Sequence, residues 1–424
     1  MIPNFPPKKA LTSPPPPALD MDAIRAEFPA LASGFVFLDN AGGSQVLSRV
    51  ADRVRDYLLT TSVQLGASYG VSQDAASRVM AARHSVAELI NANHPDEVVM
   101  GSATTALMAQ LSQALLPGIR PGDEIIVTNT DHEANIGAWL RLQSAGAVIR
   151  FWNVNPDTLE LDIKDLECML SPAVKWVAMT AASNVLGTVN PVAKVAALAH
   201  QVGACLCVDA VAYAPHRLVD VQAMGADVVV FSFYKVFGPH YAVMWGRKEL
   251  LQGLSNLNHY FISMQDIPYK LQPGNVNFEL SYGCIGISDY LVDVGQQLGE
   301  AGTRRQKMQA AFDAFERHED SLAELLLGYL RSKPSVRIIG HATAQAGQRM
   351  PTVSFVVQGQ SPEAIVRKVD THGIGIRFGD FYATRLIESL GLAKEGGVVR
   401  VSMAHYNTNY EINRLIDALE LALV

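Results

Sequence analysis

Short apolar runs alternate with amphipathic stretches from "FVFLDNAGG" at 35–43 onward. The runs "EVVMGS", "EIIVTN", "VIRFWNV", "KWVAMTAAS", "ACLCVDA", "ADVVVFSF" and "YAVMWGR" read as strands, with helical periodicity filling most of the gaps between them. Strand–helix–strand alternation predicts a mostly parallel sheet. Over 289–330 the pattern becomes one long charged amphipathic segment, read as one or two helices linking lobes. Beyond it, "VRIIG", "TVSFVVQ", "IGIRFG" and "VVRVSMAHY" read as strands of a smaller lobe, closed by a helix opening on the capping box Thr408 to Glu411. The expected architecture is α/β. Residues 21–290 form a large domain whose first part packs on the small one, and 291–424 supply a linker helix and a small C-terminal α+β domain. Residues 1–20, with "TSPPPP", read as an extended Pro-rich arm that could drape over a partner subunit.

Bulk properties narrow the function. A chain of 424 residues with 49% hydrophobic content buries a large core. A net charge of −7 and no basic run longer than Lys8-Lys9 argue against nucleic acid or an anionic membrane surface as partner. No apolar run reaches membrane-spanning length, and the first residues lack the order of a signal peptide. Cys168, Cys205, Cys207 and Cys284 are too few for a disulfide framework. A reducing cytoplasm is the simpler expectation.

The chemistry centres on Lys235. It follows an apolar run and precedes Gly238-Pro239, which turns the chain and leaves the amine at the carboxyl edge of a sheet, where ligands bind. A buried lysine loses its proton easily and forms a Schiff base with a carbonyl; a solvated loop lysine is the competing reading. Asp209 closes another apolar run without an adjacent cation. A carboxylate there either caps a helix or holds the protonated ring nitrogen of pyridoxal phosphate, keeping the ring an electron sink.

Lys235 in "SFYKVFGPHYAVMWGR", Asp209 in "VDAVAYAPH", "SNVLGTVNPV", "DHEANIGAW" and "FLDNAGGS" occur in the order and spacing of the class V aminotransferase superfamily. Within it the chain resembles the cysteine desulfurase-like branch, from about residue 20 to the end. The resemblance implies pyridoxal 5'-phosphate as cofactor, a fold of type I, and a homodimer with shared active sites. His132 matches the histidine that stacks on the cofactor ring and assists proton transfer; "HEANI" lacks the second histidine of a metalloprotease helix, and no metal is expected. Asn184 matches the amide at the phenolic oxygen. Ala103, Thr104 and Thr105 match the phosphate-gripping helix start, and Ser232 a hydroxyl that assists it. Asn275 stands where relatives offer the partner's active site a threonine. Arg400 matches the arginine that takes the substrate's α-carboxylate, with Arg377, Tyr382 and Asn40 as further substrate contacts.

Departures from that pattern bear on the reaction. Desulfurases of this type take sulfur on a cysteine about five residues after the arginine matching Arg377; here "RFGDFYATRL" places Tyr382 there. A tyrosine forms no persulfide. Cys284 is the nearest stand-in by sequence, and free cysteines are more often small buried apolar groups. Ala212 replaces a glutamine or histidine, and Tyr234 replaces a histidine ahead of the lysine. The expectation is an enzyme that joins an α-amino acid to the cofactor as an external aldimine and removes its α-proton with Lys235. The carbanion then serves specialised metabolism, in the manner of desulfurase-like enzymes of fungal alkaloid pathways such as the Mannich-type cyclase of loline formation. A C–S lyase without a persulfide cysteine and a catalytically inactive scaffold are the alternatives.

Overall fold

The computed structural model describes residues 18–423, so most of the Pro-rich arm lies outside the described residues. Thirteen strands run in chain order: β1 Val36–Phe37, β2 Val98–Gly101, β3 Glu124–Thr128, β4 Val148–Trp152, β5 Val174–Thr180, β6 Cys205–Asp209, β7 Val228–Ser232, β8 Ala242–Gly246, β9 Val336–Ile339, β10 Thr352–Val357, β11 Ile374–Gly375, β12 Arg377–Gly379 and β13 Val398–Ser402. Strands β2 to β8 build one seven-stranded sheet in the order β2-β8-β7-β6-β5-β3-β4. Its pairs from β4 through β7 are parallel, while β8 runs antiparallel to both β7 and β2. All five residues of β7 and of β8 are buried. That accounts for their unbroken apolar runs, because a sheet covered on both faces has no wet side to alternate toward.

The smaller sheet is antiparallel, ordered β12-β13-β10-β9. Helix Asn409–Ala422 closes it, and both bonds of the Thr408–Glu411 capping box are made. The charged segment resolves into two helices, Phe278–Gln297 and Arg304–Arg331, broken at a left-handed Gly299. The first runs unbroken through residue 290.

The segment around β1 packs on the small domain as part of a separate two-stranded sheet. β1 pairs with β11, and Asp39 bridges Ser402 at the end of β13. Val36 and Leu38 are buried in the same core as Leu326, Val353 and Val399. Burying such side chains contributes about 1.5–3 kcal/mol each, enough to seat this short strand. Asn40 fastens it further: its amide donates to the Phe37 and Ser402 carbonyls and to Asn407 Oδ1 at 2.9–3.0 Å, and its own oxygen accepts from the Tyr406 hydroxyl.

Candidate active site

The carboxyl ends of β5, β6 and β7 carry Thr180, Asp209 and Ser232, and a cavity opens above them. Its walls include Ala103, Thr104, Thr105, His132, Asn184, Asp209, Ala212, Ser232, Tyr234 and Lys235. Motifs scattered over some 130 residues therefore meet at one sheet edge, as ligand sites in open α/β sheets do.

Lys235 ends a single 3-10 turn, Phe233–Lys235, that leaves β7. The Val236 and Gly238 N–H groups both donate to the Phe233 carbonyl, at 2.8 and 2.9 Å. Residue 238 must be small, since a Cβ there would lie 2.7 Å from the Ile287 side chain and 3.1 Å from the Phe233 carbonyl oxygen. The lysine is 7% exposed. Burial, and secondly the positive charge of Arg400, bring its amine down to about 8 against the opposing pull of Asp209 and Asp39. Asp209 is also buried and accepts the Val211 N–H at 2.8 Å. Burial lifts its carboxyl to about 6, so a cation in the cavity would find in it a poorly solvated counter-charge.

His132 follows β3 on a turn fixed by its neighbour. Asp131 accepts from the Thr128 hydroxyl at 2.5 Å, the Asn135 amide at 2.6 Å and the Thr180 N–H at 3.0 Å. Burial raises that carboxyl to about 7. The His132 Nδ1 accepts from the Ala134 N–H at 3.1 Å. Burial first, and Lys235 second, push the imidazole down to about 4, leaving a neutral ring to lie against an aromatic ligand.

At the other end of the cavity, helix Thr104–Leu115 begins without a side-chain cap. The Thr104 and Ser232 hydroxyls are hydrogen-bonded at 2.7 Å beside it. Free N–H groups at a helix start with two hydroxyls form a phosphate cradle. A buried carboxylate at one end, this cradle at the other, a neutral imidazole and a buried amine match the donor set that pyridoxal phosphate requires.

Beside the cavity the small sheet places two arginines. Arg400 in β13 stands in register with Arg377 in β12, and Asp39 lies by both. Arg400 donates through Nη2 to Asp39 Oδ1 at 2.8 Å and through Nη1 to the Asn184 carbonyl at 3.2 Å. Arg377 is exposed and its Nη1 is 3.7 Å from Asp39 Oδ2. Phe381 lies on the Arg400 guanidinium. Phe381 and Tyr382 both hold left-handed backbone, at φ 54° and 58°, unusual for bulky residues. The turn is pinned from the large domain: the Asn184 amide donates to the Phe381 carbonyl at 2.9 Å and the Glu133 N–H to that of Tyr382 at 2.7 Å. The Tyr382 side chain is largely exposed, with its ring centre 5.2 Å from that of His132.

Two residues singled out in the sequence do not line this cavity. Asn40 engages its side chain wholly in holding β1 to β13, so the charge presented to the site comes from Asp39 beside it. Asn275 is on the surface, outside the cavity, with its amide 3.5 Å from Gln64 Oε1. None of the four cysteines lines the cavity. Cys284 is buried within a helix and its thiol bonds the Leu280 carbonyl at 3.2 Å; burial raises it far above the ordinary thiol range.

The sequence profile of the aminotransferase class-V family matches residues 36–415. The chain belongs to the class V aminotransferase family. It is 39% identical to the aminotransferase-like protein FGM3 of Gibberella zeae, over 96% of this chain and 99% of that one. It is 32% identical to the cysteine desulfurase-like protein ustD of Aspergillus flavus, over 95% of this chain and 90% of the relative. The crystal structure of the cysteine desulfurase CsdA from Escherichia coli superposes with a TM-score of 0.82 at 28% identity, covering 96% of this chain and 99% of that one. Members of this family depend on pyridoxal phosphate. Among the described residues no helix is long and apolar enough to cross a membrane, and no group of three or more His, Cys, Asp or Glu is placed to hold a metal.

Asp39, Phe381 and Asp131 were passed over in the sequence. For Asp39 a signal existed: an acid in the apolar run "FVFLDNAGG" with no basic neighbour needs a cation from elsewhere. Phe381 gave none, because nothing local marks a phenylalanine for left-handed backbone.

Proposed function

We propose that this chain binds an α-amino acid with its carboxylate on Arg400, and that Lys235 removes the α-proton for a reaction other than persulfide-forming desulfuration. When bound, pyridoxal phosphate withdraws electrons from the Cα of an amino acid joined to it. The protein supplies the rest. Asp209 holds the ring nitrogen's proton, the Thr104 helix start and the Ser232 hydroxyl hold phosphate, and His132 covers the ring. Lys235, whose amine burial and Arg400 bring down to about 8, becomes free to accept a proton as pH rises through mildly alkaline values. One observation carries the choice of reaction. The loop in which desulfurases of this branch carry their sulfur acceptor here presents Phe381 and Tyr382, while every cysteine lies away from the cavity.

The aromatic loop and the small Ala212 at the cavity wall favour a substrate bulkier than cysteine. Carbon–carbon bond formation is then the fate we assign, including Mannich-type ring closure of the kind used in alkaloid biosynthesis. The desulfurase-like relatives keep a second reading in play, a C–S lyase releasing sulfur without a persulfide. We also propose a homodimer: Leu58, Leu59 and Val46 line an exposed apolar face, and Asn275 lies outside its own chain's cavity, as a residue serving a partner's site would. The four cysteines, all free, suit a reducing cytoplasm.

The test is α-hydrogen exchange in heavy water, followed by NMR with the cofactor-loaded protein and a panel of amino acids. Exchange that disappears in Lys235→Ala supports the assignment, whereas exchange retained in that variant removes Lys235 as the base. Pyruvate or sulfide from cysteine or its sulfoxides would select the lyase reading. A bicyclic amino acid from an amine-bearing substrate plus an aldehyde would select ring closure.

A further inference from the structure

Arg400 is 2% exposed at its side chain and keeps one guanidinium N–H, at Nε, without a partner. Among the described residues its only carboxylate partner is Asp39. A buried guanidinium stripped of its counter-ion is strongly unfavourable, so Asp39 has a reason to be there whenever the substrate is not. Yet a substrate carboxylate bound in the bidentate manner needs the same fork. Asp39 has somewhere to go. Its second oxygen, Oδ2, already lies 3.7 Å from Arg377 Nη1, just beyond hydrogen-bonding distance, and Arg377 is 58% exposed. The backbone of Asp39 is fixed by its bridge to Ser402 and by Asn40, so the side chain alone must turn. Gly42 leaves the space, since a Cβ at that position would come within 2.8 Å of Asp39 Oδ2. The charges also add up. Two guanidiniums in cross-strand register share one carboxylate at rest, and an incoming α-carboxylate makes two pairs.

We infer that Asp39 is a movable counter-ion, held on Arg400 in the resting site and handed to Arg377 when an amino acid's α-carboxylate takes Arg400. Asp39 and Arg377 are then positioning residues acting through Arg400. This rests on the reading of the cavity as an amino-acid site. The handover sets the affinity for a carboxylate, which must displace Asp39, and leaves an amine lacking one unaffected. It also changes the charge beside Lys235, which feels both Arg400 and Asp39.

The experiment titrates the cofactor's visible band in the loaded protein with L-alanine and with ethylamine, which has the amine and lacks the carboxylate. In Arg377→Gln, Asp39 has no second seat, and the half-saturating L-alanine concentration rises about tenfold. The saturating rate of α-hydrogen exchange changes less. In Asp39→Asn the competitor's charge is gone, L-alanine binds more tightly than in the wild type, and adding Arg377→Gln has no further effect. Ethylamine titrates alike in all four proteins. An equal Arg377→Gln effect in both backgrounds would overturn the inference, as would weaker L-alanine binding in Asp39→Asn. If neither amine perturbs the wild-type band, the reading of the site itself fails and takes this inference with it. Should Asp39→Asn not fold, acetate decides. As a bare carboxylate it inhibits L-alanine condensation, and by about tenfold less in Arg377→Gln; equal inhibition counts against the handover.

Discussion

The guanidinium carbon of Arg400 sits 3.7 Å from the centre of the Phe381 ring. One face of the carboxylate-binding fork is thereby covered by an aromatic surface whose backbone is left-handed and tied to Asn184. A desolvated cation–π contact is worth about 2 kcal/mol. Phe381→Ala should therefore raise the half-saturating amino acid concentration about tenfold or more, while the visible band of the loaded protein keeps its position. Titration of that band with L-alanine measures it, and Phe381→Tyr, which keeps the ring, should recover most of the loss.

The pH dependence of stability reports on Asp209. Its carboxyl sits at about 6 in the folded chain without cofactor, raised by burial from an ordinary value of 3.8. The folded state therefore holds the proton more tightly than the unfolded state. The contribution of Asp209 to stability is most favourable below about pH 4, falls as pH rises to about 6, and stays lower above that. Asp209→Asn removes this penalty of about 2–3 kcal/mol at pH 8. Urea unfolding of the cofactor-free proteins should show the variant more stable at pH 8 and the difference vanishing near pH 4. The same substitution should slow α-hydrogen exchange in the loaded protein, because the ring nitrogen loses its counter-charge.

Formation of the lysine–cofactor bond has its own profile. With the Lys235 amine near pH 8, the visible band should develop faster as pH rises through about 8 when pyridoxal phosphate is added to the cofactor-free chain. Burial is the larger cause of that low value and the charge of Arg400 the second. Arg400→Gln should then move the midpoint to higher pH without abolishing the band, and Lys235→Ala should show no band at any pH. Stopped-flow absorbance across pH 6–10 reads both.

The phosphate cradle separates pyridoxal phosphate from pyridoxal. Thr104→Val breaks the 2.7 Å hydroxyl pair with Ser232 and removes a donor from the uncapped helix start. A hydrogen bond to a charged group contributes about 1.5–3 kcal/mol, so affinity for pyridoxal phosphate should fall at least about tenfold while that for pyridoxal stays unchanged. Ser232→Ala should behave likewise. The double variant should lose less than the sum, since each hydroxyl orients the other.

Much of the cofactor end was legible in the sequence because its residues stand at the ends of strands and at the start of a helix. Such positions announce themselves locally: an apolar run stops, a polar residue follows, a turn signal comes next. Lys235, Asp209, Ser232 and Thr104 all have that signature. The substrate end was less legible for a physical reason. Asp39 and Arg400 are 361 residues apart, and their pairing depends on β1 pairing with β11 beside the small sheet, which no periodicity reveals. Asn40 looked as available as Asp39 until the Tyr406 hydroxyl and the Asn407 amide oxygen were seen to occupy it. The left-handed pair at 381–382 was hidden for the opposite reason. Sequence signals for such backbone come from glycine and asparagine, and this turn uses neither, relying on bonds from Asn184 and Glu133 to hold it.

The pairing of β1 with β11 also sets an order of assembly. The cavity residues proposed to grip the cofactor lie between 103 and 235, so that half of the site can form once the central strands are synthesised and paired. The carboxylate fork cannot. Its acid and its arginine are 361 residues apart, and closing so long a loop is a late event in folding. A chain stalled short of β13 lacks Arg400, and with it the guanidinium that Asp39 faces, whatever the state of the cavity at the central sheet.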